Sequence, residues 1–590
     1  MSARADRTVV PANVTASANW FDRTSALDNL ADSLFDVVVI GGGITGAGCA
    51  LDAASRGLRT ALVEAGDFAT GTSSKSSKLV HGGLRYLQNG EVRLVYEALH
   101  ERQRLLRNAP HLVRLMPFLL PILTGKDSPV PRKLARALGA AMWAYDLTGG
   151  FRIGKFHQRL DAAGALAHMP TLPAERLAAA YLYHDAQTDD ARLTLTVART
   201  AAVDHGAVVA NRCKVVGLDK DASGIVSAVH VQADGVGASS PRDITIRCAA
   251  VINATGVWAD DVRALDESTH PNSIRPAKGI HITVPWSKVR NDIAVVVPVP
   301  GDKRSVFVVP WPDATGRSRF TYVGTTDTDY SGPTDDPECT PDDIAYLLGA
   351  INAAVTTEIT QADVLGTWAG LRPLVKASAD GRTADLSRRH SVRSAPSRVV
   401  TVTGGKLTTY RKMASDAVDE VVKHARGTLA DRVIQRSRTA KLPLRGAGEY
   451  AQVRSSGPGA APIDAAGVAH LADRYGGDAR VLLAMLEADP SLAEPLVAGT
   501  PYLAVEAVYA ARYEMATSVD DVLSRRTRAR LLARDASAAA APTVAALIAP
   551  VLGLDATEET DQVSAYRAAI EHERAAAGLP ATDLGTPVAT

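Results

Sequence analysis

The sequence predicts a mixed α/β protein with a parallel-sheet domain, a β-rich insertion and a helical C-terminal region. The first observation is an apolar run, Phe35 to Ile40, that leads into the glycine-rich turn GGGITG. The second is a β-rich stretch from Ile274 to Thr326, divided by Gly, Pro and polar turns. The third is a mostly helical pattern from Asp464 to about Ile548. A chain of 590 residues is long enough for roughly two to four domains.

The segment from Phe35 to Glu64 has the order strand, turn, helix and strand. Gly41, Gly43 and Gly46 give the pattern G-x-G-x-x-G directly after the first strand. The first glycine permits a tight turn, the second lets backbone approach a pyrophosphate, and the third lets the helix pack closely on the strand. Glu64 ends the second strand, where an acidic side chain can bind the hydroxyls of the adenosine ribose. Because all these features agree, we predict a dinucleotide site here.

Three later segments offer hydroxyls or glycine turns to the same cofactor. The loop Thr72–Ser77 is rich in hydroxyls, although composition alone favours a solvated loop. Val251 to Trp258 is predicted as a buried strand that ends in a turn at Gly256, which is either a cofactor contact or a plain junction. Val399 to Lys412 is predicted as a strand, a glycine turn and a helix whose N-terminus can face negative charge. One fingerprint with such returning turns is more typical of FAD bound along its whole length than of NAD.

Two apolar segments have alternative interpretations. Met116 to Leu123 contains two prolines, so we expect an irregular buried segment or an edge strand. Lys133 to Leu147 is predicted as a basic amphipathic helix. Such a helix suits either a membrane surface or ordinary core packing.

Two charged segments are also notable. Tyr183 to Asp190, YHDAQTDD, precedes a predicted helix from Ala191 to His205. The pattern Ser518-x-x-Asp521 predicts a capping box for a helix from Val519 to Arg534. That helix is crowded with arginines, which we interpret as a solvated or interdomain ion-pair face: Arg525, Arg526, Arg528 and Arg530.

Composition excludes several classes of protein. A net charge of +1, without a basic stripe interleaved with aromatic residues, predicts no nucleic-acid partner. The 4 cysteines lie far apart without C-x-x-C, so we expect no metal site and no disulfide framework, as in a reducing cytoplasm. Residues 1–34 contain acids and lack an unbroken apolar segment, so we interpret them as an extension rather than a signal peptide. No run of about 18 apolar residues occurs, which predicts no membrane-spanning helix.

Longer motifs occur in order along the chain: TSSKSSKLVHGGLRYL, GTTDTDY, GLRPL, GGKLTTYRKMA and, near the C-terminus, DDVLSRRTR. With the glycine turn they resemble the FAD-dependent, quinone-linked glycerol-3-phosphate dehydrogenases, within the glycine and D-amino-acid oxidase-like flavoproteins. The resemblance runs from about Phe35 to Ala414 and continues into the C-terminal region. It implies a Rossmann-type FAD-binding domain interleaved with a mixed or antiparallel β-rich substrate cap, plus an α-helical C-terminal domain.

The resemblance and the composition give expected domain boundaries. We place the FAD-binding domain at 35–86, 175–262 and 360–440, and the substrate cap at 87–174 and 263–359. A linker rich in Gly, Ser and Pro is expected at 441–463 and a helical domain at 464–560. Residues 1–34 form the extension, and 575–590 are expected to be a disordered tail.

The resemblance also implies which residues contact FAD. The expected contacts are Gly41, Gly43, Gly46 and Glu64 for the ADP half, Thr72, Ser73 and Ser77 for the middle, Gly256 for the interior turn, and Gly405, Lys406, Leu407 and Thr408 for the flavin end.

The implied reaction oxidises sn-glycerol 3-phosphate to dihydroxyacetone phosphate, with hydride transfer from C2 to the flavin and electron transfer to a membrane quinone. A phosphate dianion requires cations, the hydroxyl requires a proton acceptor, and a developing alkoxide requires donors. The candidates are Arg85, Arg372 and Lys406 for phosphate and oxyanion, and His81, Tyr86 and His281 for proton handling or orientation. Either arginine can instead pair with a carboxylate, and either histidine can be structural, so the base stays open.

Several alternatives remain at this point. A glycerol-3-phosphate oxidase that uses O2 shares the same motifs, and an amine or amino-acid oxidase shares the wider superfamily. A non-catalytic flavin-bound assembly or RNA-modification factor belongs to another class. The family resemblance implies a cytoplasmic protein, peripheral on the inner face of the membrane. A homo-oligomer is left open.

Overall fold

The computed structural model describes residues 21–83, 91–123, 142–143, 145–146, 153–237, 239–302, 304–375, 389–425 and 433–581. Its strands, in chain order, are β1 (Leu34–Phe35), β2 (Val37–Ile40), β3 (Thr60–Val63), β4 (Leu79–Val80), β5 (Val113–Leu123), β6 (Gln158–Leu160), β7 (Leu177–Thr188), β8 (Val208–Ala210), β9 (Cys213–Lys220), β10 (Val226–Ala233), β11 (Arg242–Cys248), β12 (Val251–Asn253), β13 (Ile274–Pro285), β14 (Ala294–Pro298), β15 (Ser305–Pro312), β16 (Ser318–Gly324), β17 (Thr328–Asp329), β18 (Gly366–Val375), β19 (Ser391–Ser394) and β20 (Val399–Thr403).

The α-helices in the same residues are α1 (Arg23–Asp32), α2 (Ile44–Ser55), α3 (Val92–Asn108), α4 (Ala162–His168), α5 (Asp190–Arg199), α6 (Ala259–Glu267), α7 (Trp286–Val289), α8 (Pro341–Asn352), α9 (Tyr410–Ala425), α10 (Tyr450–Ser455), α11 (Ala465–Tyr475), α12 (Ala479–Ala488), α13 (Ala504–Tyr513), α14 (Ala529–Leu532), α15 (Arg534–Leu552) and α16 (Ala556–Ala576).

A six-stranded sheet forms the first layer of the fold. Its order is β19-β20-β12-β2-β3-β8, and β2 pairs in parallel with both β12 and β3. All four residues of β2 are buried, as expected for a parallel strand covered on both faces. Helices α2 and α9 pack against each other beside this sheet. The predicted dinucleotide-binding layer is therefore confirmed.

The glycine turn after β2 has the predicted geometry. Gly41 has φ +106°, a left-handed conformation that favours glycine. A Cβ at Gly46 would overlap the carbonyl oxygen of Gly41, so α2 can lie this close to β2 only with glycine there.

A large sheet forms the cap, in the order β17-β13-β16-β15-β14-β5-β7-β4, with β18 also paired to β13. One face covers an aliphatic core that includes Ile280, Ile282 and Val284. The other face carries an aromatic cluster that includes Tyr322 and Trp368. The predicted β-rich antiparallel region is confirmed, since β13 pairs antiparallel with β16, β17 and β18.

Two boundaries predicted for the FAD-binding domain were wrong. Strand β7 lies within 175–262 but pairs antiparallel with β5 along its length, so it belongs to the cap sheet. Strand β18 lies within 360–440 and likewise pairs with β13. The sequence pattern of each strand is that of any buried strand. It does not show which strand is the partner, and the partner decides to which sheet each strand belongs.

The prediction for Met116 to Leu123 was also wrong. These residues belong to β5, which lies inside the cap sheet between β7 and β14. Strand β14 pairs with β5 at Phe118 and Leu119. Pro117 and Pro121, which cannot donate a backbone hydrogen bond, lie on either side of that short pairing. The predicted helix from Lys133 to Leu147 lies mostly outside the described residues.

A four-stranded sheet, β1-β11-β10-β9, and helix α1 cover the edge of the first layer. Helix α1 is capped by Asp22, whose carboxylate accepts from the Ser25 N–H at 2.8 Å. Leu27 and Leu30 of α1 are buried. Residues 21–34 are thus part of the domain rather than an appended extension.

The helical C-terminal domain is confirmed, with three corrections. The expected linker contains α10, whose Val453 is buried in a hydrophobic cluster. The predicted helix Val519–Arg534 is broken into a π-helical turn, Asp521–Arg526, and the short α14. In the expected disordered tail, Ala577 and Leu579 pack against the cap core; residues 582–590 lie outside the described part.

Helix α15 is the one described helix whose length and apolar composition would allow it to cross a membrane, so the expectation that the chain has no apolar run of this length was wrong. Half of its apolar window is buried inside the protein. Ala541, Val544 and Ile548 of this helix pack in a core cluster of the C-terminal domain. This burial is what a core helix requires, and length and composition alone are weak grounds for a membrane span.

Candidate active site

A groove with a volume of about 840 Å³ runs along the carboxyl ends of the parallel strands. Ligands of open α/β sheets bind at this edge. Nine of the predicted cofactor residues line it: Gly41, Gly43, Glu64, Thr72, Ser73, Gly256, Gly405, Lys406 and Leu407. The first layer therefore brings together residues from four strand ends.

Glu64 closes one end of the groove, after β3. One carboxylate oxygen accepts from the Gly42 N–H at 2.5 Å and the other from the Gly66 N–H at 2.8 Å. Burial raises the pKa of Glu64, while these two N–H groups oppose the shift. A carboxylate has further lone pairs, so Glu64 can also accept bonds from ribose hydroxyls.

The middle of the groove lies at the N-terminus of α2. Ser73 Oγ accepts from the Ile44 N–H at 2.9 Å, which places the hydroxyl loop directly over this helix end. Thr72 Oγ1 donates to the Leu371 carbonyl at 2.5 Å and so ties the loop to β18. Glycine backbone beside a helix N-terminus is suited to a pyrophosphate.

The far end of the groove is formed by the turn after β20. Gly404 and Gly405 both have positive φ, and Lys406 Nζ donates to the Gly82 carbonyl at 3.3 Å. Thr408 Oγ1 accepts from the His81 N–H at 3.2 Å and lies 3.3 Å from the His81 carbonyl. Thr408 thus binds the backbone of His81 and does not line the groove.

Two other predicted cofactor residues also lie behind the groove lining. Gly46 provides the close contact between α2 and β2 described above. The Ser77 hydroxyl lies 2.9 Å from Nε2 of His281, and the neighbouring Ser76 lines the groove. Spacing within a serine-rich loop does not reveal which hydroxyl turns toward the groove.

Sequence reasoning missed several lining residues. Val215 and Val216 come from β9, and Asp335 comes from a loop of the cap. Trp258 Nε1 donates to Asp335 at 2.7 Å, which links the first layer to the cap. The turn at Gly256 pointed to Trp258, but no local motif marks β9 or Asp335.

These residues fit FAD. An acid lies at one end, glycine backbone and a helix N-terminus follow, and a glycine turn with a lysine lies at the other end. Within the described ranges, no group of three or more His, Cys, Asp or Glu side chains has an arrangement that would hold a metal ion.

Arg372 and His281 share one face of the cap sheet. Strands β13 and β18 pair Ala277 with Arg372 and His281 with Trp368, so the alternate side chains point the same way. Arg372 donates to Thr325 Oγ1 at 3.1 Å and forms an ion pair with Asp327 at 3.3 Å. The carboxylate pairing considered for this arginine is therefore present, and it holds the guanidinium over the sheet.

His281 is buried and held on two sides. Its ring stacks on Trp368 at 4.8 Å between centroids, with the planes 8° apart. Burial and the cations Lys78 and Arg372 hold the pKa of His281 well below its usual range, so the imidazole is neutral at pH 7. Its Nδ1 is buried and has no hydrogen-bond partner among the described residues. A neutral imidazole with such a nitrogen can exchange a proton with a bound ligand.

The other catalytic candidates divide into two groups. Burial and the nearby Lys406 lower the pKa of His81 to about 4, so this imidazole is neutral as well. Arg85 and Tyr86 lie outside the described residues, so their predicted roles stay predictions.

Two family models match the chain. One, described as FAD dependent oxidoreductase, matches residues 36–409, and one described as the C-terminal domain of alpha-glycerophosphate oxidase matches residues 437–559. Glycerol-3-phosphate dehydrogenase 2 of Mycobacterium tuberculosis is 40% identical over 555 residues, which cover 93% of this chain and 90% of that protein. The mitochondrial glycerol-3-phosphate dehydrogenase of Homo sapiens is 35% identical over 564 residues, covering 92% of this chain and 74% of that protein.

A solved structure shares the fold over nearly the whole chain. The glycerol-3-phosphate dehydrogenase from Bacillus halodurans, complexed with FAD, has a TM-score of 0.71 and 28% identity, covering 94% of this chain and 97% of that chain. The groove, the two family models and these relatives agree on the cofactor and on the class of enzyme. The chain is therefore an FAD-dependent oxidoreductase and belongs to the glycerol-3-phosphate dehydrogenase family.

Proposed function

We propose that this chain oxidises sn-glycerol 3-phosphate to dihydroxyacetone phosphate. The observation that carries the proposal is that Arg372, a fixed cation, and His281, a neutral imidazole, share one face of the cap sheet, and that Pro373, the residue after Arg372, lines the FAD groove. The phosphate of the substrate needs such a cation, and the C2 hydroxyl needs such a base. The names of the relatives from Mycobacterium and human support the same substrate.

Each residue has a distinct part in the proposed reaction. Arg372, held by Asp327 and Thr325, binds the phosphate and sets the position of C2. His281 takes the hydroxyl proton at Nδ1, which makes it our choice for the base that the sequence left open. Lys406 supplies positive charge at the flavin end of the groove. Bound FAD supplies the acceptor for the hydride that leaves C2.

The electron acceptor is a separate part of the proposal. We infer a membrane quinone and a position on the cytoplasmic face of the membrane. The support is the family resemblance to quinone-linked enzymes. Flotation with anionic vesicles at low and high salt tests the location. Protein that stays entirely in the soluble fraction at low salt contradicts it.

Anaerobic spectroscopy tests the substrate. Adding sn-glycerol 3-phosphate to the FAD-loaded enzyme is expected to bleach the flavin absorbance, whereas glycerol and an amino acid leave it unchanged. Bleaching by the amino acid instead would favour an amino-acid oxidase. Reoxidation of the bleached enzyme by a soluble quinone analogue, compared with O2 and scored by hydrogen peroxide, separates the dehydrogenase from the oxidase.

A further inference from the structure

The segment Ser74–Gly82 lies between the FAD groove and the catalytic face of the cap. Ser77 Oγ is within hydrogen-bond distance of His281 Nε2, at 2.9 Å. Tyr322 donates its hydroxyl to the Ser77 carbonyl at 3.0 Å, and Trp368 Nε1 donates to the Ser76 carbonyl at 3.2 Å. Because His281 and both aromatic neighbours contact this segment, its position sets the orientation of the imidazole.

One buried carboxylate holds both sides of Ser77. Asp190 Oδ2 accepts from the Ser76 N–H at 3.0 Å and from the Ser76 hydroxyl at 2.7 Å. Lys78 Nζ, which is fully buried, lies 3.2 Å from Asp190 Oδ1. Asp190 therefore binds the residue before Ser77 and the residue after it.

The C-terminal domain reaches the same carboxylate through Arg528. This arginine is 1% exposed, and its NH2 group donates to the Ser74 carbonyl at 2.5 Å and to Asp190 Oδ1 at 3.0 Å. Its NH1 group donates to the Ser524 carbonyl at 3.0 Å, within its own domain. Arg528 has φ +82°, a backbone conformation that residues other than glycine rarely adopt, so surrounding contacts fix its backbone.

A second carboxylate of the same YHDAQTDD motif holds the other end of the segment. Asp185 accepts from the Gly82 N–H at 3.2 Å, from the Tyr145 hydroxyl at 2.7 Å and from Arg102 at 2.6 Å. Between the two ends, β4 pairs with β7. The segment is thus fixed at both ends by acids from one stretch of chain.

We propose that Asp190 is a positioning residue for the oxidation, and that Arg528, from the C-terminal domain, acts through Asp190. The carboxylate holds Ser76 and Lys78 so that the Ser77 hydroxyl orients His281, and Arg528 holds the carboxylate. This inference rests on the proposed role of His281. We call the contacts of Asp190 with Ser76, Lys78 and Arg528 the clamp. Arg372 is held by Thr325 and Asp327, which are not part of the clamp. Loosening the clamp therefore slows the chemical step and leaves substrate binding unchanged.

Three variants at two positions probe the clamp without leaving a buried acid unpaired. Ser76→Ala removes one bond to Asp190 and keeps both of its cations. Arg528→Lys keeps the charge but cannot bridge Ser74, Ser524 and Asp190 together, and Arg528→Met removes the charge. Arg445→Met is the matched control, because Arg445 also joins the two parts of the chain: it pairs with Asp204, after α5, at 3.0 Å and with Asp478 of the C-terminal domain at 2.8 Å.

The kinetic measurement is the limiting rate of anaerobic flavin reduction by sn-glycerol 3-phosphate, together with KM. We expect Ser76→Ala and Arg528→Met to lower the limiting rate about tenfold or more, with KM and FAD content near those of the unmodified enzyme. Arg528→Lys is expected to recover part of the rate. Unchanged rates in FAD-loaded Ser76→Ala and Arg528→Met, or losses equal to those of Arg445→Met, would overturn the proposal.

A structural measurement keeps this inference separate from the proposed substrate. In crystals of FAD-loaded Ser76→Ala or Arg528→Met, the distance from Ser77 Oγ to His281 Nε2 is expected to exceed about 3.5 Å, the limit of a hydrogen bond. An unchanged distance would overturn the clamp even if the enzyme is active. Failure of the unmodified enzyme to be reduced by the phosphate ester would instead overturn the proposed function.

Discussion

At the scale of single residues, the proposed substrate rests most on Arg372. Arg372→Ala is expected to keep FAD and to lower kcat/KM for sn-glycerol 3-phosphate about a hundredfold, roughly 3 kcal/mol, because the phosphate loses its charged partner. Steady-state kinetics on the phosphate ester measures this loss. FAD content and the melting temperature serve as controls; an unchanged kcat/KM in the FAD-loaded variant would make Arg372 structural.

Glu64 tests the assignment of the ADP end in the same way. Glu64→Gln places an amide donor against one of the two N–H groups of Gly42 and Gly66, and it weakens acceptance from the ribose. The Kd for FAD is expected to rise about tenfold. Fluorescence titration of the apoprotein measures it, with the exposed Glu358→Gln as the control. An unchanged Kd would show that Glu64 does not bind the ribose.

At the scale of elements, Gly279 of β13 leaves room for the Arg372 guanidinium on the proposed catalytic face. A Cβ at Gly279 would overlap the Arg372 guanidinium and crowd Thr325. Gly279→Ala is therefore expected to raise KM for the phosphate ester about tenfold while FAD content stays the same. Gly349→Ala is the control, because a Cβ there meets no atom within 4 Å. Equal effects of both changes would argue against this steric role.

The elements also show which features of the fold can be predicted. The strand, turn and helix around Gly41 were predicted because every determinant lies within about 30 residues of chain. The sheet that each of β7 and β18 joins was not, since a buried strand does not identify its partner. The same holds for the clamp. Asp190 and Arg528 are separated by 338 positions, and the arginine-rich pattern indicated ion pairs without revealing their partners.

At the scale of the whole molecule, buried neutral histidines make stability depend on pH. Burial lowers the pKa of His111 to about 4, against about 6.5 in an unfolded chain. The unfolded state therefore binds more protons between these values. The contribution of His111 to the free energy of unfolding is fully present above pH 6.5 and is lost as the pH falls toward 4. The contribution is roughly 3 kcal/mol.

Thermal unfolding of His111→Phe across this range measures the contribution. The variant is expected to lose less stability than the unmodified protein between pH 6.5 and pH 4, whereas the exposed His424→Phe keeps the original dependence. Equal slopes for His111→Phe and the unmodified protein would show that His111 is not held neutral.

The central claim is that hydride leaves C2 of sn-glycerol 3-phosphate for the flavin. The rate of anaerobic flavin reduction with substrate deuterated at C2 tests it most directly. The account predicts a markedly slower reduction with deuterium at C2 and an unchanged rate with deuterium at C1 or C3. Rapid reduction at the same rate with all three substrates would show that breaking the C2–H bond does not limit reduction. Absence of reduction by the phosphate ester would contradict the account itself.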